Sequence, residues 1–431
     1  MLALDKLEYP VFLDSSGNDS ARFDILSALP VAHIKIEDGV VSVSDPEITV
    51  QPTDIFNGIR ALRDKYLLDA ELSVSAEPDQ PFQGGLLGFL GYPSLLGMSG
   101  MQINDAFIGV YHWAVVIDHL KQSTQLIFHP RCLSSTASFI TDLLATMDKV
   151  ADPDSFALES NFSKDLSRAD YDGAFNQVKD YISAGDCYQV NLTQQFNAHC
   201  SGSPLAAYLR LRNATHAPFS AYLNWGTSAV LSLSPERFVQ VEDKAVLTQP
   251  IKGTRPRGNN PAQDQNLAEE LQASEKDRAE NLMIVDLLRN DIGRVCKTGS
   301  ITVNQLFELQ SFSNVHHLVS SVSGELEDGS DALDLLQSCF PGGSITGAPK
   351  LRAMKIIEQI EQSPRRAYCG TIFYVSANGD MDSNITIRTL FWQQDHLQCW
   401  AGGGIVADSD VDAEYEECLH KIDNIIKELQ N

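Results

Sequence analysis

The 431-residue chain lacks several features that would place it in a specialised class of protein. Its eight cysteines include no C-x-x-C pair, which argues against a disulfide framework or a zinc site and favours a reducing compartment. No stretch approaches the roughly 18 apolar residues of a membrane span. The segment from Met1 to Glu8 lacks the basic and apolar blocks of a signal peptide. We therefore expect a cytoplasmic protein that does not enter a membrane.

Positive charge is also scarce, because 32 Lys and Arg residues stand against 57 Asp and Glu residues, a formal net charge of −25. Binding to nucleic acid needs clustered cations, so we expect no nucleic acid partner. A small anionic substrate would need local lysines, arginines or a metal ion to overcome the surrounding negative field.

Common catalytic motifs are missing as well, since the chain contains neither G-x-S-x-G nor H-E-x-x-H. The glycines from Gly84 to Gly91 have the wrong spacing for a dinucleotide fingerprint. The segment from Gly342 to Lys350 is close to a phosphate loop, but Ala-Pro separates its last glycine from the lysine. A structural turn is the simpler interpretation of both segments.

The arrangement of predicted elements favours an α+β fold. Residues 1–150 combine short strands with two helical stretches, Ile55–Leu68 and Thr136–Val150. A polar stretch at 151–170 predicts a linker, and residues 165–431 form the second predicted region. Helices and strands alternate there without a regular β-α-β rhythm, which argues against a doubly wound sheet.

Two predicted helices carry acids where core residues are expected. In the first, Glu280 lies in line with Ile284 and Leu287, and Asp277 lies one turn earlier on the same face. In the second, which runs from Ala413 to Leu429, Glu414 and Glu417 flank an apolar stripe. The stripe consists of Tyr415, Cys418, Ile422, Ile425 and Leu429.

A buried carboxylate is costly unless it has a partner. One interpretation is an Arg or Lys partner, or a helix edge tilted into water. The other is a shared cation, because carboxylates converging from two helices form a site for a hard metal ion. Few protein ligands with open positions favour Mg²⁺ over Ca²⁺, so the second interpretation predicts a magnesium site.

Four segments resemble the chorismate-utilising enzymes and occur in that family's order. They are PIKGT at 250–254, ENLMIVDLLRNDIGRV at 280–295, FPGGSITGAPK at 340–350 and AGGGIVADS at 401–409. The resemblance implies two packed sheets surrounded by helices, with an N-terminal region at 1–150 and a chorismate-binding catalytic region at 165–431. It also implies Mg²⁺ bound between glutamates and the ring carboxylate of chorismate.

The resemblance assigns residues to that site. Glu280 and Glu417 are the implied direct magnesium ligands, and Asp277 and Glu414 are implied to hold the metal's water molecules. The implied substrate contacts are Thr254, His317, Thr346, Tyr368, Arg388, Gly402, Gly403, Gly404 and Lys421.

Two positions predict which reaction within the family the chain performs. Members that aminate C2 of chorismate, the anthranilate synthases, carry Ala at the position of Lys252, whereas members that aminate C4 carry Lys. Members that add water at C2 carry a lysine base at the position of Gln189. Gln cannot act as that base, so the two positions together predict amination at C4.

The family analogy implies a covalent route to 4-amino-4-deoxychorismate, an intermediate of 4-aminobenzoate and folate biosynthesis. Lys252 is implied to attack C2, and Glu236 to protonate the departing C4 hydroxyl. No segment resembles a glutaminase, so a separate glutamine amidotransferase subunit is expected to supply ammonia. The alternatives are an anthranilate synthase component I and a non-catalytic, amino-acid-binding regulatory homologue.

The N-terminal region resembles the segment in which relatives bind tryptophan. The implied effector residues are Ser15, Arg22 and Phe23, with Pro218 and Phe219 completing the pocket. Ordinary core packing between the two regions is the alternative.

Overall fold

The computed structural model describes residues 1–18, 21–68, 80–96, 100–146, 155–312 and 315–430. Within these ranges the α-helices are α1 (Ile55–Tyr66), α2 (Ser134–Ala145), α3 (Arg168–Ser183), α4 (Pro204–Thr215), α5 (Pro261–Ala273), α6 (Glu275–Ile292), α7 (Ala332–Cys339), α8 (Lys350–Ile360) and α9 (Val411–Gln430). A short 3-10 helix spans Gly343–Ile345.

The strands of the first half of the chain are β1 (Val11–Asp14), β2 (Phe23–Ser27), β3 (Ala32–Glu37), β4 (Val40–Val43), β5 (Gly85–Leu90), β6 (Ser94–Leu96), β7 (Gly100–Gln102), β8 (Ala106–Tyr111), β9 (Trp113–Asp118), β10 (Ser123–Phe128), β11 (Phe156–Leu158), β12 (Ser163–Lys164) and β13 (Gln189–Gly202). Those of the second half are β14 (Phe219–Asn224), β15 (Ser228–Ser234), β16 (Arg237–Glu242), β17 (Ala245–Thr248), β18 (Ile251–Pro256), β19 (Thr302–Ser311), β20 (Val315–Glu325), β21 (Gly347–Ala348), β22 (Thr371–Ser376), β23 (Met381–Ile385), β24 (Thr389–Gln393) and β25 (His396–Ile405).

These strands form two large antiparallel sheets and a small hairpin, β6-β7. The first sheet has the order β10-β9-β2-β1-β14-β15-β24-β25-β13-β11, with β12 and β21 also paired to β13. The second sheet has the order β18-β20-β17-β16-β23-β22-β5-β8-β3-β4, with β19 also paired to β20. The prediction of an α+β fold with two sheets and surrounding helices is confirmed.

Aromatic side chains join the two sheets. Trp225, at the turn after β14, is 2% exposed. Its ring stacks on Phe107 of the second sheet at a centroid distance of 5.7 Å and on Phe89 at 6.0 Å. Its indole nitrogen donates a hydrogen bond to Glu37 at 2.9 Å, so the polar edge of this buried ring is also satisfied.

The N-terminal region supplies strands to both sheets. Strands β1, β2, β9 and β10 belong to the first sheet, and β3, β4, β5 and β8 belong to the second. The division into regions at 1–150 and 165–431 remains a prediction, because residues 147–154 lie outside the described residues. The end of the predicted helix Thr136–Val150 lies there too.

The predicted linker at 151–170 is wrong for its described part. Residues 156–158 and 163–164 form β11 and β12, which pair with β13, and α3 begins at Arg168. These edge strands are short and largely exposed. They are held by backbone hydrogen bonds to β13, so they leave little periodicity in the sequence.

The amphipathic character predicted for the last helix is confirmed in α9. Tyr415, Cys418, Ile422, Ile425 and Leu429 are all buried, and α9 packs on β25 of the first sheet and on α4. Helix α6 packs instead on β18 and β20 of the second sheet. Among the residues that the structure describes, no helix combines the length and the hydropathy needed to cross a membrane.

Candidate active site

Strand β18 carries Lys252 at a break in its pairing with β20. Lys252 and Thr254 pair with consecutive residues of β20, so Gly253 is an extra residue at a β-bulge. Its φ of +71° suits glycine, and bulges redirect the neighbouring side chains. A Cβ at Gly253 would lie 3.0 Å from Cγ of Asp277, so the glycine also allows α6 to approach β18.

Ser344 links the two predicted catalytic residues. Lys252 Nζ donates a hydrogen bond to the Ser344 carbonyl at 2.8 Å, and the Ser344 hydroxyl donates to Glu236 Oε1 at 3.1 Å. Glu236 is 5% exposed. Burial raises the pKa of Glu236, and the charge of Lys252 and the Ser344 hydrogen bond oppose that rise only in part. Glu236 is therefore poised to hold a proton beside Lys252.

Helices α6 and α9 bring the predicted metal ligands to one side of Lys252. Burial raises the pKa of Glu280; Lys252 and Lys276 oppose the rise, whereas Asp277 and Glu414 add to it. Partial burial raises the pKa of Glu417, whose side chain is still 54% exposed, but nearby lysines led by Lys421 at 2.7 Å outweigh it, and the net shift is downward. Glu280 is therefore close enough to interact with Asp277 and Glu414, and both Glu280 and Glu417 interact with Lys252 and Lys276.

Gly403 of β25 faces the acids of α9. A Cβ at this position would lie 3.0 Å from Glu414 Oε2 and 3.9 Å from Glu417 Oε1. Lys421 Nζ donates to the carbonyl of Gly402 at 2.9 Å. The glycine segment, Gly402 to Gly404, and α9 therefore form one wall of the site. A larger side chain at position 403 would collide with the acids of α9.

Two cations and a hydroxyl that sequence reasoning missed also contact the acid cluster. Lys276 Nζ lies 3.3 Å from Glu414 and 4.0 Å from Glu280. Arg255 lies 3.4 Å from Asp277, and the Ser409 hydroxyl donates to Glu414 at 2.7 Å. Lys276 stands one helical turn before Glu280, a spacing that could have indicated it. The alternative of a basic partner is therefore realised for all four acids, since Glu417 also pairs with Lys421 at 2.7 Å.

The residues present fit a magnesium ion by the chemistry of their donors. Carboxylate oxygens are the ligands that Mg²⁺ prefers, and it usually keeps several waters and few protein ligands. No three of the four predicted acids have oxygens within 4.8 Å of one another. Lys252, Lys276, Lys421 and Arg255 balance part of the negative charge of the cluster, and the pKa of Glu280 is still raised.

The predicted contacts to the substrate include a buried histidine and a half-buried arginine. Thr254 Oγ1 and His317 Nδ1 are hydrogen-bonded at 2.9 Å. Burial, with the charge of Arg388, lowers the pKa of His317 to about 4, so this imidazole is neutral at pH 7. Arg388 is half-buried, and among the described residues its guanidinium has no hydrogen bond or ion pair. Burial lowers the pKa of Arg388, and a carboxylate ligand would compensate for this burial.

Two other residues predicted to contact the substrate already interact with the protein itself. The hydroxyl of Thr346 donates to the Gly342 carbonyl at 2.7 Å. Tyr368 is buried and stacks on Trp400 at 6.5 Å, and burial holds the pKa of its phenol well above 10. Tyr368 is thus a neutral side chain near the start of the glycine segment.

Gln189 is the first residue of β13 and is buried. Neither polar atom of its side-chain amide has a hydrogen-bond partner among the described residues. A Cβ at Gly404 would lie 2.5 Å from Gln189 Nε2, so glycine is needed where β25 passes this side chain. An unsatisfied buried polar group costs about 1–3 kcal/mol. A polar ligand at this position would relieve that cost.

Four of the five predicted effector residues line a cavity of about 910 Å³ between strands of both sheets. They are Arg22, Phe23, Pro218 and Phe219. Arg22 is paired with Asp118 at 2.9 Å. Ser15 is buried beside this region rather than on the cavity wall, and its N–H donates to Asp24 at 2.7 Å.

The same cavity reaches the backbone of the catalytic residues. Its wall includes Pro235 and Ile251, which directly precede Glu236 and Lys252 in the sequence. The backbone of Ile251 is also close enough to Glu236 to lower the pKa of that carboxyl. A molecule in the cavity would therefore contact the segment that positions both groups.

Comparison with known proteins identifies the family of this chain. The family model of the chorismate binding enzymes matches residues 30–427, and the chain belongs to this family. Aminodeoxychorismate synthase component 1 of Escherichia coli K12 is 42% identical over 99% of this chain and 94% of that protein. The protein of the same name from Salmonella typhimurium is 44% identical over 95% of this chain and 90% of that protein.

A solved structure extends the comparison to the fold. The crystal structure of anthranilate synthase component I from Streptococcus pneumoniae superimposes with a TM-score of 0.80 at 31% identity. The match covers 94% of this chain and 92% of that chain. The two sheets and their helices are therefore common to family members with different names.

Replacing Ser344 with Ala should raise the pKa of Glu236 further, because the carboxylate loses a hydrogen bond that stabilises its charged form. Replacing it with Thr keeps a hydroxyl and should leave the pKa close to that of the wild type. NMR titration of labelled glutamate carboxyls, assigned with Glu236→Gln, measures the change. An unchanged pKa in Ser344→Ala would show that the hydrogen bond does not act on Glu236.

Proposed function

We propose that this chain converts chorismate and ammonia to 4-amino-4-deoxychorismate, as the chorismate-aminating component of an aminodeoxychorismate synthase. The placement of Lys252 carries the proposal. This amine lies at a bulge and shares Ser344 with Glu236. It is also close enough to Glu280 and Glu417 for its charge to oppose the rise that burial causes in their pKa values. The relatives with that name, at 42% and 44% identity, support it.

Chorismate carries two carboxylates, and the site offers a separate partner for each. The half-buried guanidinium of Arg388 suits the pyruvyl carboxylate, because Arg can bind a carboxylate in a bidentate manner. The ring carboxylate would lie toward the acids of α6 and α9, with Lys421 and the glycine segment behind it. The amide of Gln189, which has no hydrogen-bond partner among the described residues, offers a donor and an acceptor to the bound ligand.

The acids then require a cation to hold that ring carboxylate. We assign Glu280 and Glu417 as direct ligands of Mg²⁺, with Asp277 and Glu414 holding its waters. Bound there, Mg²⁺ would supply positive charge that binds the ring carboxylate and offsets the acids beside Lys252.

The reaction proceeds in two displacement steps. The neutral amine of Lys252 forms a bond to C2, the ring double bonds shift, and the C4–O bond breaks while Glu236 protonates the departing hydroxyl to water. Ammonia then forms a bond to C4, the double bonds shift back, and the C2–N bond to Lys252 breaks. The proton released by the incoming ammonia returns to Glu236. The sum replaces one hydroxyl with one amine and releases water, an amino-group transfer of the transaminase class.

Ammonia would come from a separate glutamine amidotransferase subunit, because the name component 1 of the relatives implies a second component. We place this enzyme in the cytoplasm, on the step toward 4-aminobenzoate and folate. All eight cysteines are free thiols, which suits a reducing compartment.

Anthranilate synthesis is the main enzymatic alternative, and the fold alone does not exclude it, since the Streptococcus pneumoniae relative is an anthranilate synthase component. Lys252 argues against anthranilate synthesis, because anthranilate synthases carry Ala at this position. A non-catalytic regulatory homologue is opposed by the retention of Lys252, Glu236, Glu280 and Glu417 around one site.

A second function, binding of an amino acid such as tryptophan, is favoured by the 910 Å³ cavity. It combines the aromatic rings of Phe23 and Phe219 with polar groups at its edge. A ligand in the cavity would contact Pro235 and Ile251, the neighbours of Glu236 and Lys252 in the chain, and could therefore shift both catalytic residues.

Lys252→Ala should lower the rate of 4-amino-4-deoxychorismate formation by about a thousandfold or more, the scale for losing a catalytic group. The assay supplies chorismate, Mg²⁺ and ammonium, and mass spectrometry identifies the product. Lys244→Ala, an exposed lysine paired with Asp328, is the matched control and should retain wild-type activity.

Each outcome of this assay has a distinct meaning. Anthranilate as the product of Lys252→Ala would support a role of Lys252 in selecting C4 over C2. Wild-type production of 4-amino-4-deoxychorismate by Lys252→Ala would refute covalent catalysis by this lysine. Anthranilate from the wild type would replace the proposed function with its alternative.

Glu280→Gln and Glu417→Gln should each weaken Mg²⁺ binding by about tenfold or more, because a neutral amide cannot balance the charge of the ion. Calorimetric Mg²⁺ titrations measure the affinity, and Glu416→Gln, an exposed neighbour on α9, is the control. If all three variants bound Mg²⁺ with the affinity of the wild type, Glu280 and Glu417 would not be its ligands.

Tryptophan should raise the melting temperature in a saturable manner, because a ligand that binds only the folded state stabilises it. Phe23→Ala removes a wall of the cavity and should abolish the rise. Phe139→Ala, at an exposed phenylalanine of α2, should preserve it. No rise at millimolar tryptophan in the wild type would leave ordinary packing as the better interpretation of these residues.

A further inference from the structure

The tip of the β24–β25 hairpin brings two imidazoles and a carboxylate together, away from the residues assigned to catalysis. His199 of β13 lies directly opposite His396 of β25 in the ladder, and their ring centroids are 4.4 Å apart. Asp395 is the turn residue before His396. Its Oδ1 lies 2.8 Å from His396 Nδ1, and its Oδ2 lies 3.7 Å from His199 Nδ1.

The backbone holds these three residues in place. Gln393 pairs with His396, so β24 and β25 are joined by only two residues, Gln394 and Asp395. The Asp395 carbonyl accepts a hydrogen bond from the Cys200 N–H at 2.9 Å, which ties the turn to β13. Groups carried on hydrogen-bonded strands and a tight turn need little reorganisation to bind a ligand together.

We propose that His199, Asp395 and His396 form a surface site for a divalent transition-metal ion of the zinc class. One ligand atom from each residue lies within 4.8 Å of the others. Small side-chain rotations would bring these atoms to the metal–ligand distances of about 2.0–2.2 Å that Zn²⁺ requires. Water completes the coordination, because the side chains of all three residues are 47–66% exposed.

The donor set distinguishes this site from the carboxylates proposed to bind magnesium. Two imidazole nitrogens and one carboxylate suit Zn²⁺, Ni²⁺ or Cu²⁺, whereas Mg²⁺ prefers oxygen donors alone. The formal charge of −25 attracts cations of either kind to the surface.

A metal bound at this site would cross-link β13 and β25 at one end of their ladder. The opposite end of the same ladder pairs Asn191 with Gly404 and Thr193 with Gly402. A metal that binds His199 and His396 only when the two strands are paired adds its binding free energy to the stability of the fold.

Calorimetric titration with ZnCl₂ in millimolar Mg²⁺, which competes for carboxylate clusters, tests the proposal. The wild type should bind one Zn²⁺ per chain in this site. His199→Ala and His396→Ala should each bind it at least tenfold more weakly, whereas His420→Ala, at a lone exposed histidine of α9, should match the wild type. No saturable binding in the wild type, or equal affinity in all four proteins, would overturn the proposal.

Melting temperatures provide a second readout that does not depend on catalysis. In EDTA the four proteins should melt at the same temperature, because the substituted side chains are exposed. Zn²⁺ should raise the melting temperature of the wild type and His420→Ala but not of the other two variants. An equal rise in His199→Ala and His396→Ala would contradict the assigned ligands.

Discussion

The hydrogen bond from Lys252 to the Ser344 carbonyl is the contact on which the rest of the site depends. It joins β18, at the edge of the second sheet, to the short 3-10 helix before α8. The Ser344 hydroxyl extends the connection to Glu236. The bulge at Gly253 makes the contact possible, because it redirects the strand beside Lys252 and admits α6. An amine and an acid are thereby held near each other without a direct ion pair that would occupy both.

The acids of α6 and α9 lie beside lysines that balance part of their charge. An unbalanced cluster of carboxylates is expensive inside a protein, and the chain distributes the balance over Lys252, Lys276 and Lys421. Burial still raises the pKa of Glu236 and of Glu280. We interpret this incomplete compensation as the basis of function, because a metal ion and a doubly anionic substrate can complete it together.

Helix spacing was sufficient to predict the acid cluster, because Glu280 and Glu414 stand on helix faces that bury apolar neighbours. The order of four motifs predicted the family and, with it, the two-sheet fold. Sequence did not predict Ser344 as a link or Arg255 as a partner of Asp277, because both contacts join segments distant in the chain. The strands β11 and β12 were missed because backbone pairing with β13, rather than an apolar pattern, holds them in place.

The most direct test of a nucleophilic Lys252 is peptide mapping after acid quench of the wild-type chain with chorismate and Mg²⁺ in the absence of ammonia. We predict a covalent adduct on the peptide that contains Lys252, with the mass of chorismate less one water. The adduct should be absent from Lys252→Ala. Ammonia-dependent formation of 4-amino-4-deoxychorismate by the wild type, without any modification of Lys252 under quench, would contradict this role.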